Sequence, residues 1–507
     1  MLNQGIKSKI SQLWDMFWSG GMTNPLTALE QISYLLFMRR AEDVGLITED
    51  SYKWSCYTKE DVNLPEHMKD VFDYLKSLNI ENEPFTNAMK GASFEITKPS
   101  LLKMAIELID EIYAEADQER ANGQYFQDTL GDFYELILSQ TSEAGKNGQF
   151  RTPRHIIQLM CELLEPTIED TICDVAAGTS GFLVGAYQYI ITQNSDEEAL
   201  EDENGFKKRL SGNLIDSDKI EKLTQNTFFG YDIDATMIRL GMMNLLMHNI
   251  NQPLIKHIDT LSQQFDEIER EIKFSKILAN PPFTGKIDSL GTSLSLSRVY
   301  PPKFDKSGKR IKQNIQSENL FLERILQLLE VEGKAAVIIP EGVLFGGDNA
   351  RKKIREILLK DCCLEAVISL PSGVFQPYTG VKTSIILFTK KEINSEIFHT
   401  EQVWFYELMD DGYSLDDNRR KLEKNPLPIL VDFYKQRMNG VANDRKNHFY
   451  IPIQEIQEND FDLSYNRYKE FEYIEQIYEP PQKILNALIE LEKEITTRLN
   501  DLKKIIG

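Results

Sequence analysis

The chain has no run of about 18 apolar residues, so no segment of it reads as a membrane-spanning helix. Its first residues, Met1-Leu2-Asn3-Gln4-Gly5, do not set a charged region ahead of an apolar one. That is not the pattern of a secretory signal peptide, and a cytoplasmic location is expected. Cysteine is scarce: Cys56, Cys161, Cys173, Cys362 and Cys363 form no C-x-x-C pair and have no histidine at ligand spacing. This argues against a zinc centre and a disulfide framework, and leaves the five as buried small hydrophobes. Internal repeats and low-complexity tracts are lacking, and so is the G-x-G-x-x-G loop that receives a dinucleotide pyrophosphate. Positive charge is also short. A net charge of −22 is awkward for a nucleic-acid protein, because Lys and Arg supply the phosphate contacts.

What is present is a globular composition, 41% hydrophobic over 507 residues, enough for two or three domains. Residues 1–140 read as an all-α domain, with segments such as Ala28 to Arg40 and Leu101 to Ala114 placing apolar residues at three and four spacing. The texture then changes to short apolar runs alternating with amphipathic stretches: Thr171 to Val175, Phe228 to Ile233, Phe274 to Ala279, Ala335 to Ile339, Leu364 to Leu370 and Thr383 to Thr389. Such alternation predicts a parallel, doubly wound α/β sheet within residues 141–425. Past Lys390 come mixed strands and polar loops, and in the C-terminal region, residues 426–507, Pro480-Pro481 breaks the chain ahead of a terminal helix. That helix lines up Leu488, Leu491, Ile495, Leu499 and Leu502, a stripe suited equally to a partner helix or to its own domain.

The most specific chemistry follows the run Phe274 to Ala279, in Asn280-Pro281-Pro282-Phe283. An exocyclic amino group is a poor nucleophile while its lone pair is delocalised into a ring, so a catalyst must accept hydrogen bonds from both hydrogens. Asn280 offers a side-chain carbonyl and Pro281 a backbone carbonyl. The two prolines restrain the backbone that aims them, and Phe283 offers a flat face for a base. The reaction suited is methyl transfer onto a planar amino nitrogen.

Asp174-Val175-Ala176-Ala177-Gly178-Thr179-Ser180-Gly181 follows the first predicted strand, and its small residues allow a ligand to approach the backbone. With Asp174 opening it, the loop serves a cationic or zwitterionic ligand better than a pyrophosphate. The next strand ends in Asp232-Ile233-Asp234, which offers Asp232, or Asp234, to a ribose diol. The separation of Asp232 from Asp174 is explained by reading the acidic stretch Gln193 to Asp218 as an inserted loop. Asp259 is a candidate for an adenine amino group, or a helix N-cap. Upstream, Thr152 as N-cap with Pro153 at the first helical position explains Phe150-Arg151-Thr152-Pro153 structurally. A local basic stretch, Lys286, Arg298, Lys303, Lys306, Lys309, Arg310 and Lys312, is the candidate DNA contact in an otherwise acidic chain.

In this order the pieces resemble the modification subunit of type I restriction-modification systems, an adenine-specific DNA methyltransferase, over most of the chain. Gln149 to Arg154 resembles the helical entry motif, Asp174 to Phe182 the cofactor loop and Asn280 to Phe283 the catalytic tetrapeptide. Glu318-Asn319-Leu320-Phe321, Ile339 to Phe345 and Leu370 to Thr383 are further matches. Arg151 stands where the family usually has an aromatic, and Val175 and Ala177 depart from its usual Asp-Pro-Ala-Cys-Gly loop.

The resemblance implies a Rossmann-like S-adenosylmethionine-dependent methyltransferase sheet with an all-α N-terminal domain and a C-terminal helical extension. It implies S-adenosylmethionine held by Phe150, Thr152, Pro153, Asp174, Ala176, Gly178, Thr179, Ser180, Gly181, Asp232, Ile233 and Asp259. It also implies a flipped adenine methylated on N6 in duplex DNA. The partners implied are a specificity subunit that reads the DNA, a second copy of the chain and a restriction subunit. Cytosine N4 methylation, protein-glutamine methylation and a non-catalytic DNA-binding scaffold remain as alternatives.

Overall fold

The computed structural model describes residues 4–57, 63–77, 87–121, 129–143, 152–196, 198–250, 252–269, 271–283, 285–393, 397–438, 445–470 and 481–506. The chain divides into two compact units, 1–468 and 469–507.

The first unit is organised by a sheet of nine described strands: β1 (Ile172–Asp174), β2 (Phe228–Asp232), β3 (Leu254–His257), β4 (Phe274–Ala279), β5 (Leu329–Pro340), β6 (Cys362–Ser369), β7 (Thr383–Lys390), β8 (Gln402–Glu407) and β9 (His448–Pro452). Their spatial order is β9-β8-β6-β7-β5-β4-β1-β2-β3. β1, β2, β3, β4 and β5 run parallel, as the alternation with helices predicts. The sheet is nevertheless mixed. β7 lies antiparallel between β5 and β6, and β9 antiparallel to β8. The reason is local: a parallel partner needs a crossover of a dozen or more residues, usually a helix. The connection from β6 to β7, residues 370–382, is long enough but holds turns and no crossover helix, and β7 returns the other way.

The described residues from Gln4 to Glu143 that take regular structure are helical, chiefly α1 (Gln4–Ser19), α2 (Pro25–Asp43), α3 (Leu64–Ser77), α4 (Pro99–Ala121) and α5 (Thr129–Glu143). Asn24 caps α2 by accepting from the Leu26 N–H, with Pro25 at the first position. These helices share one continuous core with one face of the sheet, Ile6, Leu35 and Phe133 clustering with Leu278, Ile368 and Trp404. The mediator is α8, Ala235–Met247, buried from Met237 onward. Before it in the chain come α6 (Arg154–Leu164) and α7 (Gly181–Gln193). On α8, Arg239 donates twice to Glu30 Oε1, at 2.8 and 2.6 Å, and Tyr134 of α5 donates to the Leu240 carbonyl.

Of the cysteines, Cys161, Cys173 and Cys362 are buried as expected, whereas Cys363 is half-buried and Cys56 is exposed. No described helix is long and apolar enough to cross a membrane. The second unit contains α9, Pro481–Ile506, whose Leu488, Leu491, Ile495, Leu499 and Leu502 are exposed.

Gly241 sets how closely α8 approaches the loop after β1. A Cβ there would stand 2.5 Å from Ser180 Oγ and 3.0 Å from the Gly178 carbonyl. Gly241→Ala is therefore expected to lower stability by ~1–3 kcal/mol through overpacking, read as an earlier urea midpoint with unchanged slope.

Candidate active site

β1 is paired on one side with β2 and on the other with β4, so the chain reverses its direction of travel across the sheet beside β1. In doubly wound folds ligands bind outside the carboxyl ends of the strands at such a point. The register sets Asp174 beside Gly230 and Cys173 beside Ile277, which brings the segments following β1, β2 and β4 to one edge. They wall a cavity of about 1260 Å³, with Asp174, Gly178, Asp232 and Asn280 all on its lining. A typical small-molecule site holds roughly 300–1,000 Å³, so there is room here for more than one ligand.

The loop after β1 is held from several sides. Gly178 and Ser180 take positive φ, 51° and 62°. The Ala177 N–H donates to the Tyr231 carbonyl at 2.8 Å, the Gly178 N–H to Asp232 Oδ2 at 2.8 Å, and Asn244 of α8 to the Thr179 carbonyl at 2.9 Å. Asp174 is buried and receives the Ala176 N–H at 3.0 Å. Burial, with the Asp232 charge adding to it and the Ala176 bond opposing it, pushes its carboxyl up to about 8. Burial raises Asp232 as well. Asp234 is committed elsewhere, capping α8 through the Thr236 and Met237 N–H groups. Asp234 nevertheless lines the cavity beside Asp232, which has one lone pair on each oxygen taken by the Gly178 and Asp234 N–H groups. Ile233 is 70% exposed on the same wall, and Asp259 lines it while receiving the Leu261 N–H at 2.9 Å.

Pro281, Pro282 and Phe283 line the cavity with Asn280, and Phe283 meets Phe375 edge-on at 6.1 Å. Asn280 Nδ2 donates to Thr152 Oγ1 at 3.0 Å, while Asn280 Oδ1 is buried without a hydrogen-bond partner. Thr152 thereby holds the amide, with Nδ2 at its hydroxyl and Oδ1 turned away from it. A buried unpaired carbonyl is costly, and an incoming amino group that displaces the atoms covering it recovers that cost.

Two expectations change. α6 begins at Arg154 with Pro153 as its N-cap and no side-chain capping bond, so Thr152 is not the cap; its hydroxyl is spent on Asn280. Ser180 lies buried beneath Gly241, away from the cavity lining, because its left-handed backbone turns the side chain under α8. The remaining cofactor candidates Thr152, Pro153, Ala176, Thr179 and Gly181 line the cavity, while Phe150 falls outside the described residues.

The stretch Gln193 to Asp218 is not a bare inserted loop. It holds a two-stranded hairpin, Leu200–Glu201 with Lys207–Lys208, that contributes Asp202, Glu203, Asn204 and Lys208 to the wall. The segment after β8 adds Tyr413 and Arg419. Tyr413 stacks on His155 at 4.4 Å and donates to Asn204 Oδ1 at 3.0 Å. His155 Nε2 lies 2.8 Å from Asp411, which Arg419 also pairs with. Burial holds His155 below its ordinary range. For Asp411 burial works upward, but the His155 bond and Arg419 outweigh it. A neutral imidazole donating to an ionised carboxylate satisfies both directions. At the opposite wall Arg154 joins Asp132 at 2.5 Å and Glu135 at 3.3 Å, tying α6 to α5. The acidic run alone did not mark the hairpin as cavity wall.

The basic stretch also sorts itself. Arg298 pairs with Asp361 at 2.5 Å, Lys312 with Asp288 at 3.0 Å, and Arg310 donates to the Thr292 carbonyl at 2.8 Å. Lys286, Lys303, Lys306 and Lys309 are exposed and make no ion pair among the described residues.

A small-residue loop facing an Asn-Pro-Pro-Phe turn across the reversal point of this sheet defines a methyltransferase that acts on an amino nitrogen. The chain belongs to the N-6 DNA Methylase family, whose model matches residues 126–476, and residues 6–109 match the HsdM N-terminal domain. It is similar to the type I restriction enzyme EcoEI methylase subunit of Escherichia coli, at 27% identity over 99% of this chain and 98% of that one. It is also similar to the type I restriction enzyme StySJI methylase subunit of Salmonella typhimurium, at 27% identity over 90% and 81%. Among solved structures, one of a type I restriction-modification complex matches with a TM-score of 0.68 and 23% identity over 99% and 98% of the two chains. The type I methyltransferase subunit of Streptococcus thermophilus matches at 0.60 and 20% over 92% and 99%. The resemblance to type I modification subunits thus holds for the whole chain, and the protein is a DNA methyltransferase of the adenine N6 class.

If Thr152 orients Asn280, Thr152→Val should lower kcat about tenfold, equivalent to ~1.4 kcal/mol of barrier, with DNA KM little changed. Thr152→Ser, which keeps the hydroxyl, should restore most of it. Loss confined to KM would show that the hydroxyl serves binding instead.

Proposed function

We propose that the chain methylates adenine N6 in duplex DNA from S-adenosylmethionine, as the modification subunit of a type I assembly. The observation that carries this reading is the buried, unpartnered Oδ1 of Asn280, oriented by Thr152 in the same cavity as Asp174 and Asp232.

The residues present fit that methyl donor. Gly178 has open space where a side chain would stand, Asp232 keeps lone pairs for a ribose diol, Ile233 offers an apolar face and Asp259 suits an adenine amino group. Asp174 suits the ammonium of the methionyl part; Thr152, Pro153, Ala176, Thr179 and Gly181 complete the wall, and Phe150 is kept as a candidate from the motif. Bound there, S-adenosylmethionine supplies an electrophilic methyl on a sulfonium.

The chain's own contribution is positional. Phe283 stacks on a base taken out of the duplex, and Asn280 Oδ1 and the Pro281 carbonyl accept from its amino group. The prolines keep both acceptors aimed without reorganisation. The unpaired lysines 286, 303, 306 and 309 are the DNA contacts we favour over Arg298, Arg310 and Lys312, which spend their donors within the chain. The exposed leucine stripe of α9 suits a partner helix, and a specificity subunit, a second copy of this chain and a restriction subunit are the partners this reading calls for.

With the assembled complex, Asn280→Ala should lower methyl transfer by at least ~100-fold, and nucleoside mass spectrometry should show N6-methyladenine. N4-methylcytosine as product would overturn the assignment.

A pH test addresses Asp174. Its folded-state pKa is raised, so the folded protein holds an extra proton from the ordinary carboxylate range up to about 8, and an ammonium ligand must expel it. Affinity for S-adenosylmethionine should rise by up to about tenfold per pH unit as that proton is lost, and decline where the ligand's α-amino group, pKa ≈ 7.7–8.0, loses its charge. Calorimetry at several pH values should show the rising limb in the native protein and not in Asp174→Asn.

A further inference from the structure

The excursion between β4 and the helix Ser317–Leu328 is rooted beside the catalytic turn. Its strands Lys286–Asp288 and Asn314–Gln316 pair antiparallel, and the Gly285 carbonyl accepts the Ser317 N–H at 3.0 Å. Its middle is packed: Leu296 and Val299 are buried, and Tyr300 OH accepts from Asn319 Nδ2 at 2.8 Å and the Gln316 N–H at 3.2 Å. From this base a second, tighter turn projects. Phe304 bridges Arg310, the Ile311 N–H donates to the Lys303 carbonyl at 2.8 Å, and the Asp305 N–H donates to the Lys309 carbonyl at 2.9 Å. Asp305 Oδ1 receives the Ser307 N–H, the Ser307 hydroxyl and the Lys309 N–H, and Gly308 supplies the positive φ of 82° that closes the turn. Arg310 anchors the stem through Thr292.

The outcome is a backbone-braced tip with an unused surface. Phe304 is 54% exposed, and Lys303, Lys306 and Lys309 around it make no ion pair among the described residues. In a chain of net charge −22 this is a local concentration of unneutralised positive charge around one aromatic ring. Asp305, the one acid of the tip, is exposed, but its Oδ1 is spent on the Ser307 and Lys309 N–H groups and the Ser307 hydroxyl, and three lysines stand against it. An acidic protein surface would satisfy the lysines but gives the ring no special use, whereas a nucleic-acid duplex satisfies both: phosphates for the lysines, and a base stack with a vacancy for the ring.

Resting on the DNA methyltransferase reading above, we propose that residues 303–310 form a wedge that grips the duplex beside the target adenine, Phe304 stacking into the space the flipped base vacates. The lysines supply affinity that varies with salt, and the ring supplies preference for an opened step.

The test uses the full-length chain with two probes, a short mixed-sequence duplex and the same duplex carrying one abasic site. The native protein should bind the abasic probe more tightly, Phe304→Ala should lose about tenfold of that preference with an unchanged salt slope, and Phe304→Trp should keep it. Lys303→Ala/Lys306→Ala/Lys309→Ala should reduce the slope of log affinity against log salt by about 2 to 3 on both probes. Equal binding of both probes by the native protein and Phe304→Ala, or an unchanged slope in the triple variant, overturns the wedge. So does a Phe304→Ala defect confined to assembly with a protein partner. Methyl transfer to DNA by the native complex is scored separately. Its absence would overturn the methylation reading, while its presence with unaltered DNA binding by the variants would overturn the wedge alone.

Discussion

Every part of the site depends on β1 having a parallel neighbour on each side. With β2 on one flank and β4 on the other, three strand ends open onto one edge. The backbone N–H groups and carboxylates that follow them are held within a single cavity. Were either pairing to slip by one residue, Asp174 or Asn280 would pass to the opposite face of the sheet, because side chains alternate along a strand. The close seating of α8 on the loop after β1, made possible by the bare Cα of Gly241, is the packing counterpart of that pairing.

Polar groups around the cavity are arranged as linked pairs. Glu30 with Arg239 and Asp132 with Arg154 join the N-terminal helices to the sheet layers, and His155 with Asp411 and Arg419 joins α6 to the segment after β8. Such buried networks contribute definition of geometry more than net stability, since each charge is desolvated to make them. The exceptions are informative. Asn280 Oδ1 has no partner, and burial holds Asp174 partly in its neutral form. Both are groups a fully settled protein interior would have paired, and both face the cavity.

Much of this was legible in sequence where a local pattern carries its own physics. Six strands stand where short apolar runs alternate with amphipathic stretches, and the terminal helix begins at the second proline of its pair. The tetrapeptide after β4 and the small-residue loop after β1 could be read because backbone restraint and side-chain chemistry are written into those residue types. β7 was read as a strand, but its direction came from the connection before it, which holds turns and no crossover helix. β3 was not among the predicted strands and β8 was read only as part of the mixed strands past Lys390, since each is short. The wall from the hairpin after α7 and from Tyr413 and Arg419 was not legible: those residues come from distant segments with no shared motif.

By itself the sequence determined which groups are available for chemistry: an amide and a carbonyl beside two prolines, a loop free of bulky side chains, acids at strand ends and a basic stretch. Each follows from the composition of a few consecutive residues. Only the tertiary structure decided which of them are spent. Thr152 is spent on Asn280 rather than on a helix cap, and Asp234 caps a helix while also lining the cavity. Ser180 is turned beneath α8, and Arg298, Arg310 and Lys312 are engaged within the chain, while Lys286, Lys303, Lys306 and Lys309 make no ion pair among the described residues. A hydrogen bond or an ion pair needs a partner at about 3 Å, and that partner is set by the path of the backbone through space rather than by neighbours in sequence.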